Sequence, residues 1–139
     1  MEIRLAVKKD FDKFLPIKEE FFREYCVSKK TKKFILKEFG DFLGEGVIVA
    51  EENSKIIGYL LGEVEDNSYE KFGYISEIFV VKTFRGKGIA TKLKDRFLDV
   101  LRKNKINLCR IEVNPENTAR DSYKKWGFKI DKLRMSLKF

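Results

Sequence analysis

The chain has 139 residues, of which 43% are hydrophobic and 37% charged, and its formal net charge is +8 at pH 7. This size and composition are typical of one globular domain, which we place at residues 1–139, and they exclude a disordered chain. The sequence contains no histidine, which excludes Ser–His and Cys–His nucleophile pairs and His-ligated metal sites, and we expect no metal.

The spacing of apolar residues predicts alternating strands and helices along the chain. In order, these are a strand at 2–7, a helix from Asp10 as N-cap, a helical piece at 34–39 ended by Gly40, strands at 47–51, 55–65 and 72–81, a helix at 88–103, a strand at 107–113, a helix at 117–126 and two β pieces, FKI and RMSLKF. The order β-α-α-β-β-β-α-β-α-β-β predicts an α/β fold of the mixed α+β type. We expect a mostly antiparallel mixed sheet of six to seven strands with helices on both faces.

The two cysteines, Cys26 and Cys109, are far apart and form no C-x-x-C motif, so neither a disulfide framework nor a zinc site is indicated. Cys109 lies in an apolar run and is interpreted as a buried small hydrophobe, and Cys26 is given little chemical role. Charges interrupt the N-terminal segment throughout, and no apolar run approaches the ~20 residues that span a bilayer. We therefore expect a cytoplasmic monomer or homodimer with no membrane partner.

The stretch VVKTFRGKGIATK, residues 80–92, joins a β run to a helical pattern through a basic turn. Glycines in such a turn favour an anion bound on backbone N–H groups. The turn lacks the G-x-x-x-x-G-K-[ST] spacing of P-loop ATPases and GTPases. Gly86 and Gly88 fit the start of G-x-G-x-x-G, but Thr91 stands at the third position, which disfavours a dinucleotide fold. The pattern R-x-x-G-x-G/A is met fully, by Arg85, Gly88 and Ala90.

This pattern resembles the acetyl-CoA loop of the GNAT superfamily of N-acetyltransferases, and a second stretch supports the resemblance. EVNPENTARDSYKKWGF, residues 112–128, matches the family's next segment at Glu112, Asn117, Ala119, Tyr123, Gly127 and Phe128. The opening I-R-x-A, from Ile3 to Ala6, is also common in the family, and the motifs are closest to those of protein N-terminal (ribosomal-protein-type) acetyltransferases. Asn117 lies two residues before Ala119, where the family usually has three, so Asn114 is its alternative.

The resemblance implies acetyl-CoA, or coenzyme A, as co-substrate. The implied pyrophosphate site is the basic turn: Arg85, Gly86, Lys87, Gly88, Ile89, Ala90 and Thr91, with charge added by Lys82 and Lys92. The backbone of Ile78, Phe79 and Val80 is expected to hold the pantetheine arm and to donate to the oxyanion, and Asn117 and Tyr123 are further cofactor contacts.

The resemblance also implies direct attack by a primary amine in a ternary complex. Tyr123 is then the acid for the leaving thiolate, because a phenol with a pKa near 10 can protonate it. The base is Glu112, with Glu77 close behind and water as a further alternative. Glu77 is expected to share its face of the strand with Ile75 and Phe79, and the structural alternative for Glu112 is a salt bridge, for example with Arg110.

The acceptor stays open at this point. The match at Glu112 favours a peptide or protein N-terminus, but a polyamine, an amino acid or an antibiotic fits the same chemistry. Two other functions remain as alternatives: a non-catalytic CoA-binding or regulatory module on the same fold, and a basic nucleic-acid-binding domain suggested only by the net charge of +8.

Overall fold

A computed structural model describes residues 1–25, 28 and 30–139. The strands are β1 Glu2–Leu5, β2 Val47–Glu52, β3 Lys55–Asp66, β4 Lys71–Val80 and β5 Cys109–Ile111. The helices are α1 Phe11–Glu24, α2 Lys32–Phe42, α3 Ile89–Lys103 and α4 Ala119–Lys125, with short 3-10 turns at Lys8–Asp10 and Lys82–Phe84. None of the helices in the described part of the chain has both the length and the apolar character needed to cross a membrane.

The strands form one mixed sheet in the order β1-β2-β3-β4-β5. The first four strands pair antiparallel, and β5 pairs parallel to β4. The predicted mixed α/β architecture is thus confirmed, but the predicted count of six to seven strands is wrong. The described chain has five strands, because FKI and RMSLKF form none. Their alternating pattern supplies an apolar face, but a strand also needs a backbone partner, and residues 129–139 are exposed throughout.

Helices cover both faces of the sheet, as predicted. Successive residues of β2 show this, since Val47 and Val49 pack in the cluster with α1 and α2, whereas Ile48 and Ala50 pack in the cluster with α3. Helix α3 comes so close to the sheet that a Cβ atom added at Gly73 would lie 2.3 Å from the Leu101 side chain. This close packing fixes the end of α3 against the start of β4.

A β-bulge interrupts the pairing of β3 with β4. Leu61 lies opposite Glu77 and Gly62 opposite Ile75, so Ser76 is the extra residue. A bulge shifts the alternation of side chains by one position. Ile75 consequently packs on the α3 side of the sheet, while Phe79 packs on the α1 side with Glu77. The expectation that Ile75 shares the face of Glu77 is therefore wrong.

One predicted helix end is confirmed and one is wrong. Asp10 is the N-cap residue of α1, as predicted, but its carboxylate makes no capping bond to the helix. It accepts from the Val7 N–H at 2.8 Å and pairs with Arg4 at 2.8 Å and 2.9 Å. These contacts, Arg4 first, hold the pKa of Asp10 below its usual value despite burial. Gly40 does not end α2, which continues to Phe42, since glycine weakens a helix without stopping it.

Candidate active site

Strands β4 and β5 separate after only three paired positions. Gly73, Tyr74 and Ile75 of β4 pair with Cys109, Arg110 and Ile111 of β5. Strand β5 ends there, whereas β4 continues to Val80. In the described chain, the outer edge of β4 beyond the Ser76 bulge therefore has no neighbouring strand. Apart from the Val80 carbonyl, which accepts from Arg85, the outward backbone groups of this edge are available to an extended ligand. The predicted arm-binding residues, Ile78, Phe79 and Val80, form this edge.

The edge leads directly into the glycine turn. Gly86 and Gly88 both have φ of +77°, and a Cβ atom added at either would meet no atom within 4 Å. The glycines are thus required by backbone conformation, and the space in front of the turn is open. The first helical hydrogen bond of α3 runs from Lys92 N to Gly88 O, 3.1 Å. The earlier N–H groups of this helix start have no acceptor four residues back, so the turn fits a pyrophosphate.

Arg85 of the turn makes contacts within the protein. Its Nε donates to the Val80 carbonyl at 2.8 Å, and its two terminal nitrogens donate to the Glu24 carboxylate at 2.6 Å and 2.5 Å. The guanidinium also lies over the Phe79 ring, 5.3 Å from its centroid. Glu24 raises the pKa of Arg85, and Arg85 in turn lowers that of Glu24. The side chain that was expected to face phosphate therefore connects the turn to the end of α1.

Tyr123, the predicted acid, lies on α4 and is half-buried. Its ring packs against Trp126 and Phe128, with centroids 5.4 Å and 6.4 Å away. Burial raises the pKa of Tyr123, and Tyr25 raises it further. Tyr25 directly follows α1 and also packs on Phe79, at 6.3 Å between centroids. Tyr25 therefore contacts Phe79 of β4 and also interacts electrostatically with Tyr123 of α4.

Helix α4 is attached to the start of α3 by Trp126. Its Nε1 donates to Thr91 Oγ1 at 3.1 Å, and Lys94 Nζ lies 5.4 Å from its ring centroid. At the other end of α4, Asn117 Oδ1 accepts from the Ala119 N–H at 2.9 Å. This contact stabilises the helix start and gives the predicted cofactor residue Asn117 a local partner, while Asn114 accepts from the Asn117 N–H through its own backbone carbonyl.

Glu77 belongs to a cluster of charged groups between the sheet, α1 and α2. Its Oε1 accepts from Lys18 Nζ at 2.7 Å and from the Tyr59 hydroxyl. Lys18 Nζ also lies 2.9 Å from Glu38 Oε1, an ion pair outside hydrogen-bonding geometry. Lys18 is only 2% exposed. Burial, with Glu77 next, raises the pKa of Tyr59 far above its usual value.

Glu112, the other predicted base, lies one residue beyond β5 and is exposed. Its salt bridge is formed with Arg134, at 3.3 Å, and not with Arg110. Arg110 instead binds Glu70 at 2.5 Å and 3.0 Å and stacks on the Phe72 ring. Glu112 remains on the predicted side of the sheet, because its neighbours Cys109 and Ile111 pack toward α3.

Several residues near these groups were missed by the sequence analysis, namely Lys18, Tyr25, Glu38, Tyr59 and Trp126. Of these residues, only Lys18 could have been identified from the sequence, because a lysine on the phenylalanine-rich face of a helix is expected to be buried with a partner. The others depend on contacts between distant segments.

Cys109, predicted to be a buried small hydrophobe, is only partly buried and packs against the core on the α3 side of the sheet. Cys109 is a free thiol, and burial raises its pKa to about 11. Cys26 lies outside the described residues. Among the residues that are described, no group of three or more His, Cys, Asp or Glu side chains is arranged to hold a metal ion.

Comparison with known proteins agrees with this geometry. Residues 7–136 match the family model of the acetyltransferase (GNAT) domain. An uncharacterized N-acetyltransferase of Archaeoglobus fulgidus is 34% identical over 106 residues, which are 71% of this chain and 72% of that protein. N-alpha-acetyltransferase 30 of Schizosaccharomyces pombe is 28% identical over 122 residues, 82% of this chain and 81% of that one.

A solved structure shows the same fold at lower identity. The aminoglycoside N-acetyltransferase AAC(6')-Iy in complex with CoA superposes with a TM-score of 0.82 at 16% identity, covering 99% of this chain and 93% of that one. Together with the family match over residues 7–136, these findings identify the chain as a member of the GNAT acetyltransferase family, an enzyme that transfers the acetyl group of acetyl-CoA to an amine.

Proposed function

We propose that the acceptor is the N-terminal α-amine of a polypeptide, that Glu77 takes the proton of this amine, and that Tyr123 protonates the leaving thiolate. The observation that carries the proposal is the separation of β4 from β5 after Ile75, which leaves the segment of β4 that carries Glu77 without a strand on its outer edge. The polypeptide acceptor is supported by the similarity to N-alpha-acetyltransferase 30 over 82% of the chain.

The backbone of this chain supplies the cofactor contacts. The edge from Ile78 to Val80 holds the pantetheine arm as a strand would, and one of its N–H groups donates to the thioester oxygen as negative charge develops there. The N–H groups of Gly86, Gly88 and the first turn of α3 receive the pyrophosphate. Acetyl-CoA, when bound, supplies an acyl group activated as a thioester.

The transfer needs no covalent enzyme intermediate. The amine nitrogen forms a bond to the carbonyl carbon, and the bond from that carbon to sulfur breaks. Glu77 accepts the proton that the amine nitrogen loses. Tyr123 gives its phenolic proton to the departing sulfur and regains one from solvent. The raised pKa of Tyr123 keeps this proton in place at neutral pH.

Glu77 is preferred to Glu112 because of its surroundings. The side chain of Glu77 is 19% exposed and that of Glu112 is 66% exposed. A carboxylate in a partly water-excluded site interacts more strongly with a reacting ammonium than one in bulk solvent. Glu112 also forms an ion pair with Arg134. Because it lies just beyond the end of β5, Glu112 is the second candidate for the general base.

The acceptor is tested with peptides, polyamines, free amino acids and aminoglycosides, by following CoA release and locating the acetyl group by mass spectrometry. We expect acetylation at the α-amine of free peptides and none on N-formylated copies of the same peptides. Preferential transfer to a lysine side chain or a polyamine would overturn the polypeptide α-amine.

The base is tested separately with Glu77→Gln and Glu112→Gln, each neutral and nearly isosteric. Loss of a general base lowers the rate by about 10²- to 10⁴-fold, and we expect a loss in this range for Glu77→Gln and a change below tenfold for Glu112→Gln. The opposite ranking would assign the base to Glu112.

A further inference from the structure

Lys18 is a charged side chain with almost no exposure to water. It lies on α1, is 2% exposed, and its Nζ atom is surrounded by the rings of Phe21, Phe22 and Tyr59 at 5.0 Å, 5.5 Å and 5.6 Å from their centroids. Burying an ammonium costs several kcal/mol unless it is paired. A lysine at such a position therefore needs a reason beyond filling space, which an apolar side chain would do better.

Two carboxylates meet this single ammonium. Glu77 of β4 lies at 2.7 Å and Glu38 of α2 at 2.9 Å from Lys18 Nζ. One carboxylate would neutralise the lysine, so the group of three keeps one net negative charge. The other titratable groups nearby are the hydroxyl of Tyr59 on β3, which interacts electrostatically with Glu77 and Glu38, and that of Tyr25 after α1, which interacts with Tyr59. Lys18 is thus the one positive charge among the described groups that face Glu77.

The two carboxylate oxygens of Glu77 differ in their hydrogen bonds. Both Lys18 Nζ and the Tyr59 hydroxyl donate to Oε1, and neither donates to Oε2. Two donors on one oxygen fix the rotation of the carboxylate. The second oxygen is left for a group outside the cluster, and the partial exposure of Glu77 gives such a group access.

Building on the proposed function, we propose that Lys18 is a positioning residue of the acetyl transfer, which separates the carboxylates of Glu77 and Glu38 and, by holding Oε1 of Glu77, turns its Oε2 toward the acceptor amine. Without the ammonium, Glu38 and Glu77 become two neighbouring carboxylates in a partly buried site. Like charges at this distance favour protonation of one of them. A carboxylate of the variant that shares a proton with its neighbour is a poorer proton acceptor.

The test is the pH dependence of kcat/KM for the full chain carrying Lys18→Met, with the peptide acceptor identified above. We expect the ascending limb to move toward higher pH, so that kcat/KM falls most at low pH, by up to about tenfold for each pH unit of the shift. The limb moves to higher pH because, without the lysine cation, a higher pH is needed to ionise the carboxylate. The affinity for acetyl-CoA, measured by calorimetry, stays within about twofold because the glycine turn does not touch this cluster.

The double variant Lys18→Met/Glu38→Gln removes the competing carboxylate as well. We expect its ascending limb to return toward that of the wild type, and this variant carries the test if Lys18→Met alone fails to fold. Lys37→Met is the matched control, because Lys37 forms an exposed ion pair with Asp41 at 2.9 Å on α2. The control is expected to keep the wild-type profile.

A purely structural role predicts something else. Both Lys18 variants would then lower the melting temperature and reduce kcat/KM equally at every pH, with no movement of the limb, and that result would overturn the proposal. Failure of the proposed function has a different signature, since the wild type would then not acetylate peptides or Glu77→Gln would remain active.

Discussion

Arg85 of the glycine turn and Glu24 of α1 are joined by two hydrogen bonds of 2.6 Å and 2.5 Å, one from each terminal guanidinium nitrogen. The same guanidinium binds the carbonyl of Val80, the last residue of β4. One side chain thus connects the expected pyrophosphate turn, the expected arm-binding edge and the helix that carries Lys18. The first residue of the R-x-x-G-x-G/A motif is therefore a connector between segments in this structure.

The variant Glu24→Gln tests whether Arg85 positions the turn or binds phosphate. If Arg85 positions the turn, losing the carboxylate weakens acetyl-CoA binding about fivefold, in line with ~1 kcal/mol for a partly exposed ion pair. If Arg85 instead binds phosphate, freeing it from Glu24 strengthens acetyl-CoA binding. Calorimetric titration with acetyl-CoA separates the two outcomes by sign. Glu20→Gln is the control, because Glu20 influences Arg85 only through its charge.

Gly88→Ala tests whether the turn binds the cofactor. An L-residue at φ +77° costs about 1–2 kcal/mol in stability, and the added methyl group would occupy the space in front of the N–H groups. We expect lower stability and a loss of acetyl-CoA affinity of about tenfold or more. Gly44→Ala, at φ +108° in open space between α2 and β2, should lose stability alone. Equal acetyl-CoA affinity in the two variants would contradict a cofactor site at the turn.

Trp126→Phe removes the hydrogen bond to Thr91 and keeps an aromatic ring beside Tyr123. We expect kcat to fall about fivefold, because α4 loses its attachment to α3 and Tyr123 its fixed distance from the reacting sulfur. Thr91→Val should have the same effect, and the double variant should be no slower than either single one. Steady-state kinetics at saturating acetyl-CoA measures this, and additive losses would show that the bond is not the cause.

Tyr123→Phe removes the proposed acid. We expect kcat to fall by about 10²-fold or more, with acetyl-CoA affinity nearly unchanged, as is typical of general acids. A group with a raised pKa stays protonated to higher pH, so the descending limb of kcat in the wild type should lie above the usual tyrosine value of about 10. Tyr25→Phe removes one cause of the raised pKa and should move this limb to lower pH. Parallel losses of kcat and affinity in Tyr123→Phe would refute the acid role.

Much of the fold could be predicted because its signals are local. The hairpin between β2 and β3 turns at Asn53 and Ser54, both with positive φ, and such a turn is marked by residue type. The order of the first nine elements follows from apolar spacing. The final strands, at 128–130 and 134–139, were predicted by the same rule and are absent from the described chain, because an alternating pattern says nothing about a pairing partner.

The glycine turn, the family motif and the alternation of helices and strands follow from neighbouring residues, whose backbone preferences are set within a few positions. The site depends on the tertiary structure instead. A one-residue bulge at Ser76 reverses the faces beyond it, which turns Glu77 toward α1 and away from Ile75. Lys18 and Tyr59 bind Glu77 from two other elements, and Glu38 joins them from a third through Lys18. Strict alternation assigns each residue of a strand to one face of the sheet, and this assignment fails wherever a residue is inserted. No local pattern in the sequence shows which buried lysine will contact which carboxylate.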